Sequence, residues 1–540
     1  MQKPAKLITD NPELLIYIDG TLHITVLGGI KLTGFDRLKV TLKMAGSGNP
    51  NNAFRHNLDL YNSIQAELLI EKSADALDMP AAEIAKIISR LTAALENYRS
   101  ERLEAMKPAQ AEKKQLSEAE RKIALQYLKA PGLLGRTRQA IAASGVVGEE
   151  VNSLIAYLVY TSRKRHNPLH LMCLGPSGTG KTWLQEKVSE LMPEEDKIEI
   201  TVLSMNAFYY FGRDELMHKL LLIEDMDGAE KVLYPIRELQ SKRRITKTVT
   251  LKDSKGNLKT VTLNVEGPVC ISGCTTREKL YEDNANRCIL LYTDGSAEQD
   301  KKIMDYQRRL SAGLVDQQAE RNVREQLKNV QRLLQPVSVR NPYATYLRLP
   351  EAVFKPRRTM LLLLLFIETI TFYHQYQREV KTDEDTGEQY IETTIADIEA
   401  TFTLLETTLL KKSDELNNAC RMFFEELKGW LKQNDTDTFY SKEVRPALRL
   451  SPSSLGRYLY ELERMGYIKI ARGSRYKGFE YKVQRWDDLE HLTSDAHTLM
   501  ETILADIRKE TAGNPQVTQS PDGLHKVQKT NAKQAVSQPS

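Results

Sequence analysis

The sequence predicts an α/β protein built on a parallel sheet, flanked by a small N-terminal α+β domain and a C-terminal winged helix. Three observations carry this expectation. The apolar run Leu169 to Leu174 opens into Gly175-Pro176-Ser177-Gly178-Thr179-Gly180-Lys181-Thr182 and then an amphipathic segment, the succession strand, glycine loop, helix. Helix and strand patterns alternate from there to about Thr293, as a βαβ succession requires. Toward the C-terminus, two short helical patterns precede two alternating segments around a basic glycine turn, the arrangement of a helix-turn-helix with a wing.

From the N-terminus, Leu14 to Met44 alternates apolar and polar residues between glycines, as short strands do. Leu58 to Leu95 carries apolar residues at three- and four-residue steps, and Glu96 to Lys114 is a charged exposed helix or linker. Leu116 to Tyr160 is helical in pattern; Lys301 to Lys432 is mostly helical, broken at Pro336, Pro342, Pro350 and Pro356. The polar residues after Ala512 lack large apolar side chains and predict disorder. These shifts divide the chain into segments 1–110, 111–330, 331–432, 433–486 and 487–540.

Composition narrows the function class. With 540 residues the chain holds several domains, and its 76 basic against 72 acidic side chains leave a net charge of +4, too little to name a polyanionic partner without segmental evidence. The longest apolar run, Met360 to Ile367, is far shorter than the roughly 20 residues a membrane helix needs. The polar start has no signal-peptide pattern, so a cytoplasmic protein without membrane contact is expected. Cysteines at 173, 270, 274, 288 and 420 have no metal-ligand spacing and predict buried thiols.

Residues 175–182 fit the phosphate-binding loop G-x-x-x-x-G-K-[ST] in its proper context. Glycines let backbone N–H groups turn onto a phosphate, Lys181 neutralises the outer phosphates, and the Thr182 hydroxyl can hold Mg²⁺, which makes ATP with Mg²⁺ the expected ligand. The matching acidic strand is Lys219 to Ile223 followed by Glu224-Asp225-Met226-Asp227. Two registers are open: Glu224 on the metal with Asp225 orienting water, or Asp225 on the metal with Asp227 on the water; the first is favoured. Downstream, Thr246 to Leu251 and Leu258 to Val265 predict a β-hairpin, and seven bases against one acid between Lys242 and Lys259 give it a positive tip suited to phosphates. Lys252, Lys255 and Lys259 are its candidate DNA contacts. Val269 to Thr276 is a buried strand ending at Thr275 and Thr276, where a γ-phosphate sensor belongs. Arg287 precedes a further apolar strand and is placed to reach a neighbouring subunit's nucleotide, and Arg357 and Arg358 open a long apolar helix at Pro356. Between Thr436 and Arg485 eleven bases face five acids, so this short segment exceeds the net charge of the whole chain. Arg457 lies on the expected recognition helix, and Arg472 and Arg475 on the wing.

The order of these motifs resembles AAA+ ATPases, most closely their minichromosome-maintenance-type branch, over about residues 120–430. Ser144 to Glu150, Thr161 to Lys164, Asn206 to Gly212 and Ile223 to Gly228 are similar to the helicase portion of primase-helicase proteins of mobile elements. The resemblance implies an AAA+ P-loop core with a helical lid and an ATP-dependent DNA helicase or translocase. It also implies a homo-oligomeric ring, a hexamer, on single-stranded and duplex DNA, with Arg287 as trans-acting finger, Arg357 or Arg358 as second sensor, and a separate primase or replication partner. Two departures stand out: the acid order at Glu224-Asp225 is reversed, and the zinc-finger primase module of larger relatives is absent from this sequence. A DNA-binding loader or regulator without processive unwinding, and a non-enzymatic regulator, are the competing expectations.

Overall fold

The structure, a computed structural model, describes residues 5–32, 37–46, 53–106, 113–201, 206–227, 232–252, 258–276, 286–351, 353, 355–474 and 478–513. The chain divides into two compact units, Met1–Glu112 with Lys247–Leu263, and Lys113–Thr246 with Asn264–Ser540.

In the first unit, β1 (Lys6–Ile8), β2 (Leu14–Asp19), β3 (Leu22–Leu27), β4 (Lys39–Gly46) and β5 (Phe54–Asp59) form an antiparallel sheet in chain order, followed by α1 (Ser63–Leu77) and α2 (Ala81–Met106). Alternation sets the faces: Leu22, Ile24 and Val26 are buried while His23 and Thr25 are not. The helix expected from Leu58 starts later. Leu58 pairs with Val40 inside β5, and Asn62 starts α1 by accepting from the Gln65 N–H at 3.2 Å. The charged stretch after Leu95 continues α2 to Met106.

The second unit begins with α3 (Glu118–Lys129), α4 (Leu133–Ala143) and α5 (Glu150–Thr161), then β6 (Leu171–Leu174), α6 (Lys181–Ser189), β7 (Lys197–Ile200), β8 (Lys219–Ile223) and α7 (Leu233–Lys242). Next come β9 (Arg244–Lys252) and β10 (Leu258–Glu266), paired with each other as a two-stranded sheet. After them follow β11 (Val269–Thr275), β12 (Ile289–Tyr292), α8 (Ala297–Ser311) and α9 (Gln317–Leu333). The main sheet has the order β12-β6-β11-β8-β7 and is parallel throughout. Every residue of β6 and β11 is buried, which is why both read as unbroken apolar or small runs.

Arg163 explains part of the Thr161 to Lys164 motif. Its guanidinium, fully buried, donates to Asp196 at 2.6 Å, to the Tyr160 carbonyl at 3.1 Å and to Gln331 at 2.8 Å. Lys164 donates to the Gln331 and Leu334 carbonyls at 2.6 and 2.8 Å, closing the C-terminal end of α9. This pair ties the end of α5 to the end of α9 beneath the sheet.

Beyond α9 the chain forms β13 (Ser338–Arg340), α10 (Pro356–Tyr373), β14 (Lys381–Thr382), β15 (Gln389–Glu392) and α11 (Ile395–Ser413). The small sheet β13-β15-β14 departs from the largely helical expectation for this region. Its strands have two to four residues each, too few for a period of two to register in sequence. Phe366, Ile367, Ile370 and Phe372 of α10 belong to the same core as Tyr157 of α5 and Leu171 of β6.

The chain then builds α12 (Asn418–Gln433), β16 (Thr438–Tyr440), α13 (Ser441–Ala447), α14 (Pro452–Arg464), β17 (Ile468–Ser474) and β18 (Gly478–Val483) around a core of their own that includes Phe424, Phe439, Leu462 and Ile468. The last helix, α15 (Asp488–Gly513), returns to the larger core: Ile503 and Ile507 join it, and Asp506 and Arg508 pair with Arg348 and Glu399. Arg421 binds Asp414 at 2.6 Å and Asp488 at 2.5 Å, holding the entry and exit of the α12–β18 segment together.

One buried ion cluster steadies α10 against α11. Asp397, 1% exposed, accepts from Arg378 at 2.8 Å and from the Thr394 N–H at 2.9 Å, with His374 at 3.3 Å. Burial alone would raise its pKa, but His374 and Arg378 outweigh burial and hold the carboxyl at about 2. A depressed carboxylate stabilises above its unfolded pKa and stops doing so as pH falls through the folded value, so about 2–3 kcal/mol should be lost between roughly pH 4 and pH 2. Thermal melts of Asp397→Asn should show a lower Tm at pH 7 and a shallower loss on acidification over that window than the parent chain.

Candidate nucleotide site

The loop after β6 is shaped by glycine. Gly178 and Gly180 have φ of +86° and +81°, left-handed values that are inexpensive only without a Cβ. Gly180 starts α6, so Lys181 and Thr182 occupy its first turn, where N–H groups and the helix dipole favour an anion. Lys181 is 8% exposed and donates to the Pro176 carbonyl at 2.6 Å, folding its ammonium over the loop. Thr293, just after β12, donates to Thr179 at 2.8 Å, and Thr179 in turn donates to the Pro176 carbonyl at 2.9 Å. The loop is therefore braced from a neighbouring strand.

The acidic strand ends beside it. Register pairs Ile223 of β8 with Gly273 of β11, and Thr275 of β11 with Leu174 of β6, so three strand ends open on one edge. A cleft of about 480 Å³ there is lined by Ser177, Gly178, Gly180, Lys181, Thr182, Trp183, Glu224, Asp225, Asp227, Cys274, Thr275 and Thr276. Met226 is buried over Gly273 and donates its N–H to the Cys274 carbonyl at 2.9 Å, which leaves Glu224 half-buried and Asp225 exposed toward the cleft. Asp227 faces Thr275 and Thr276. Its carboxylate accepts from the Thr275 hydroxyl at 2.5 Å, the Thr276 hydroxyl at 2.6 Å and the Thr276 N–H at 3.1 Å. Cys274 and Cys173 are neighbours across β11 and β6, and each other's sulfur together with burial pushes the Cys173 thiol well up, leaving it protonated. Mg²⁺ takes oxygen donors and shares them with substrate phosphates; the Thr182 hydroxyl and the Glu224 and Asp225 carboxylates lie in this one cleft and fit that ion.

The arginines lie elsewhere. Arg287 and Arg358 share a cleft of about 380 Å³ with Arg243, Asn167, His170, Gln240, Ser241 and Leu361. Arg287 donates to Ser241 at 2.8 Å and Arg243 to Asn167 at 2.7 Å. Burial holds His170 down to about 4, so the imidazole is neutral and the arginines supply the charge. Arg287 and His170 stand just ahead of β12 and β6, whereas the glycine loop follows β6; this cleft lies at the opposite end of the sheet from Lys181. Arg357 is exposed on the first turn of α10 and does not line the cleft.

Lys252 and Lys259 fall on β9 and β10, while Lys255 and Arg475 lie outside the described residues. Arg457 is exposed on α14 with its guanidinium 5.2 Å from the Tyr458 ring, and Arg472 pairs with Glu480 across β17 and β18. Sequence reasoning missed Trp183 as a wall of the cleft, Asp227 as the clamp on Thr275 and Thr276, and Arg243 as a companion of Arg287. The aromatic immediately after Gly-Lys-Thr was a signal for the first; the others arise from long-range packing.

Because Trp183 lines the cleft, Mg²⁺ with a nucleoside triphosphate should change its emission in a chain whose Trp430 and Trp486 are replaced by Phe. Lys181→Ala should remove that response or shift its midpoint at least about tenfold, since the loop's phosphate charge loses its counterion. A fluorescence titration checks this.

Residues 118–336 match the family model described as the MTBMA_p00010 P-loop domain. No curated protein matches the sequence. Among solved structures, a full-length MCM homolog from Methanopyrus kandleri is similar at 12% identity and TM-score 0.37, covering 76% of this chain and 77% of that one. Drosophila ORC bound to DNA is similar at 12% identity and TM-score 0.22, covering 74% and 98%. The C-terminal region of NrS-1 is similar at 11% identity and TM-score 0.22, covering 69% and 77%. The family match places a P-loop domain at residues 118–336, the stretch that holds the glycine loop and the acidic strand.

Proposed function

We propose that this chain is an ATP-driven motor that translocates along or unwinds DNA as a ring of identical subunits, in the replication of a mobile element. The observation that carries the proposal is the furnishing of both ends of one parallel sheet. Lys181, Glu224, Asp225 and Thr275 meet at the carboxyl ends of its strands, and Arg243, Arg287 and Arg358 meet at the amino ends. The four residues of β12 span about 13 Å, so these arginines do not reach the chain's own glycine loop. They suit the nucleotide of a neighbouring copy, as a trans-acting finger requires.

Within one site, Lys181 and the loop N–H groups hold the phosphates, and Thr182 with Glu224 would hold Mg²⁺, whose bound role is to neutralise charge developing on the transferred phosphoryl group. Asp227 is committed to Thr275 and Thr276, which favours Asp225 as the carboxylate that orients the attacking water. The clamp on Thr275 supports it as the group that senses the terminal phosphate. Arg358 is the better candidate for the second sensor, because it lines the arginine cleft and Arg357 does not. The DNA reading is supported by the basic hairpin that follows the acidic strand and by the basic stretch from Thr436 to Arg485, whose helices α13 and α14 with the three-stranded sheet β16-β18-β17 suit a winged helix on duplex DNA. The mobile-element setting and the hexameric ring are supported by the motif resemblance.

Arg287→Ala should keep nucleotide binding and lose hydrolysis by about 10³-fold. Mixed with Lys181→Ala protein it should regain part of its turnover, because some interfaces then join an intact loop to an intact arginine; steady-state phosphate release across mixing ratios measures this. For DNA, replacing Lys252, Lys255 and Lys259 by Ala should abolish stimulation of hydrolysis by single strands, spare the basal rate, and flatten the salt dependence by about one counterion per lost phosphate contact. Strand-displacement assays alongside distinguish a motor from a loader, which would hydrolyse ATP without separating strands.

A further inference from the structure

Gln185 lies four residues after Lys181 on α6, one turn along the same face, and it is 1% exposed. No phosphate-loop motif calls for an amide there. A buried glutamine is costly unless both ends of its amide are satisfied, and here they are satisfied by the two strands that carry the cleft's other chemistry. Its Nε2 donates to the Ile223 carbonyl at 3.2 Å. Its Oε1 accepts from the Ser272 hydroxyl at 3.0 Å and from the Cys274 thiol at 3.3 Å. Ser272 is itself joined to the Tyr160 hydroxyl of α5 at 2.9 Å.

The Ile223 carbonyl and the Glu224 N–H belong to one peptide unit. That N–H donates to the Ile200 carbonyl of β7 at 3.3 Å, so the unit is held at both ends, by Gln185 and by β7. Cys274 directly precedes Thr275, and its carbonyl accepts the Met226 N–H. One side chain on the phosphate-loop helix thus sets the last peptide before the acid pair and touches the residue before the sensor threonine.

We infer that Gln185 is a positioning residue: it fixes Glu224, Asp225 and Thr275 relative to Lys181 and Thr182 without touching the nucleotide. This rests on the ATPase reading above. Misplacing catalytic groups by about an ångström can cost two orders of magnitude in rate while binding survives, so the signature is a fall in kcat without a matching change in affinity.

The test compares wild type, Lys181→Ala, Gln185→Met and Gln185→Glu, each also made with Trp430→Phe and Trp486→Phe for the emission readout. Methionine keeps length and apolar contacts and removes both amide groups. Glutamate keeps the acceptor for Ser272 and Cys274 and sets an oxygen against the Ile223 carbonyl, so the two variants separate the two halves of the contact. The readouts are Mg²⁺–ATP hydrolysis, Trp183 emission on titration with a non-hydrolysable ATP analogue, and thermal melting. Both Gln185 variants should lower kcat at least about tenfold with the analogue midpoint within about twofold of wild type. Wild-type kcat in a folded variant overturns the inference. So does a fall in affinity equal to the fall in kcat, or a rate loss fully explained by a smaller folded fraction. If Gln185→Met does not fold, Gln185→Glu decides by the same criteria; if neither folds, Gln185 is a purely structural residue and the inference fails. Wild type hydrolysing no faster than Lys181→Ala overturns the ATPase reading and this inference with it, whereas wild-type rates in the Gln185 variants overturn this inference alone.

Discussion

The register of three parallel strands is the constraint on which the cleft depends. β11 sits between β6 and β8 and pairs with both, so the glycine loop, the acid pair and Thr275 emerge side by side. A shift of one residue in β11 would exchange the faces of Cys274 and Thr275 and lift the threonine from Asp227. All three strands are buried on both faces, and the helices over them leave no room for such a slip. Loops at the carboxyl ends of parallel strands are where α/β sheets bind ligands, and the direction of the strands assigns the opposite edge to the arginines.

What was legible in the sequence was local. The glycine loop declares itself because every group it needs lies within eight consecutive residues, and the acidic strand because its carboxylates directly follow an apolar run. The hairpin was legible through its period of two. What was not legible depends on approach between distant segments. Arg243, Arg287 and Arg358 share a cleft across more than a hundred residues of chain, and nothing local to any one of them announces the other two. Asp227 was legible as an acid, but its commitment to Thr275 and Thr276 depends on the pairing of β8 with β11. Leu58 fits a helical spacing as well as a strand, and its pairing with Val40 decided the matter. The small sheet β13-β15-β14 was hidden by the brevity of its strands.

Several interior charges are met by an opposite charge. Arg163 meets Asp196, Arg421 meets Asp414 and Asp488, and Asp397 meets Arg378. Removing one member of such a pair leaves an uncompensated buried charge, so these sites resist substitution more than their polarity suggests. Arg163 with Asp196 and Arg421 with Asp488 join elements 33 and 67 residues apart in the chain, and such directional contacts fix positions that apolar packing alone would let slide.

The return of α15 to the larger core bears on how the protein is made. Ile503 and Ile507 are made about ninety residues after α11, yet they join the same core as the P-loop strand. That core cannot close when its sheet has been synthesised; it waits for the whole α12–β18 segment to be threaded out and for the chain to come back. During translation the face of α11 meant for α15 is uncovered for the time needed to add about a hundred residues, and apolar surface exposed for that long is prone to association between nascent chains. The core that carries the glycine loop is therefore closed only once α15 has been made, an order imposed by topology rather than by any sequence signal.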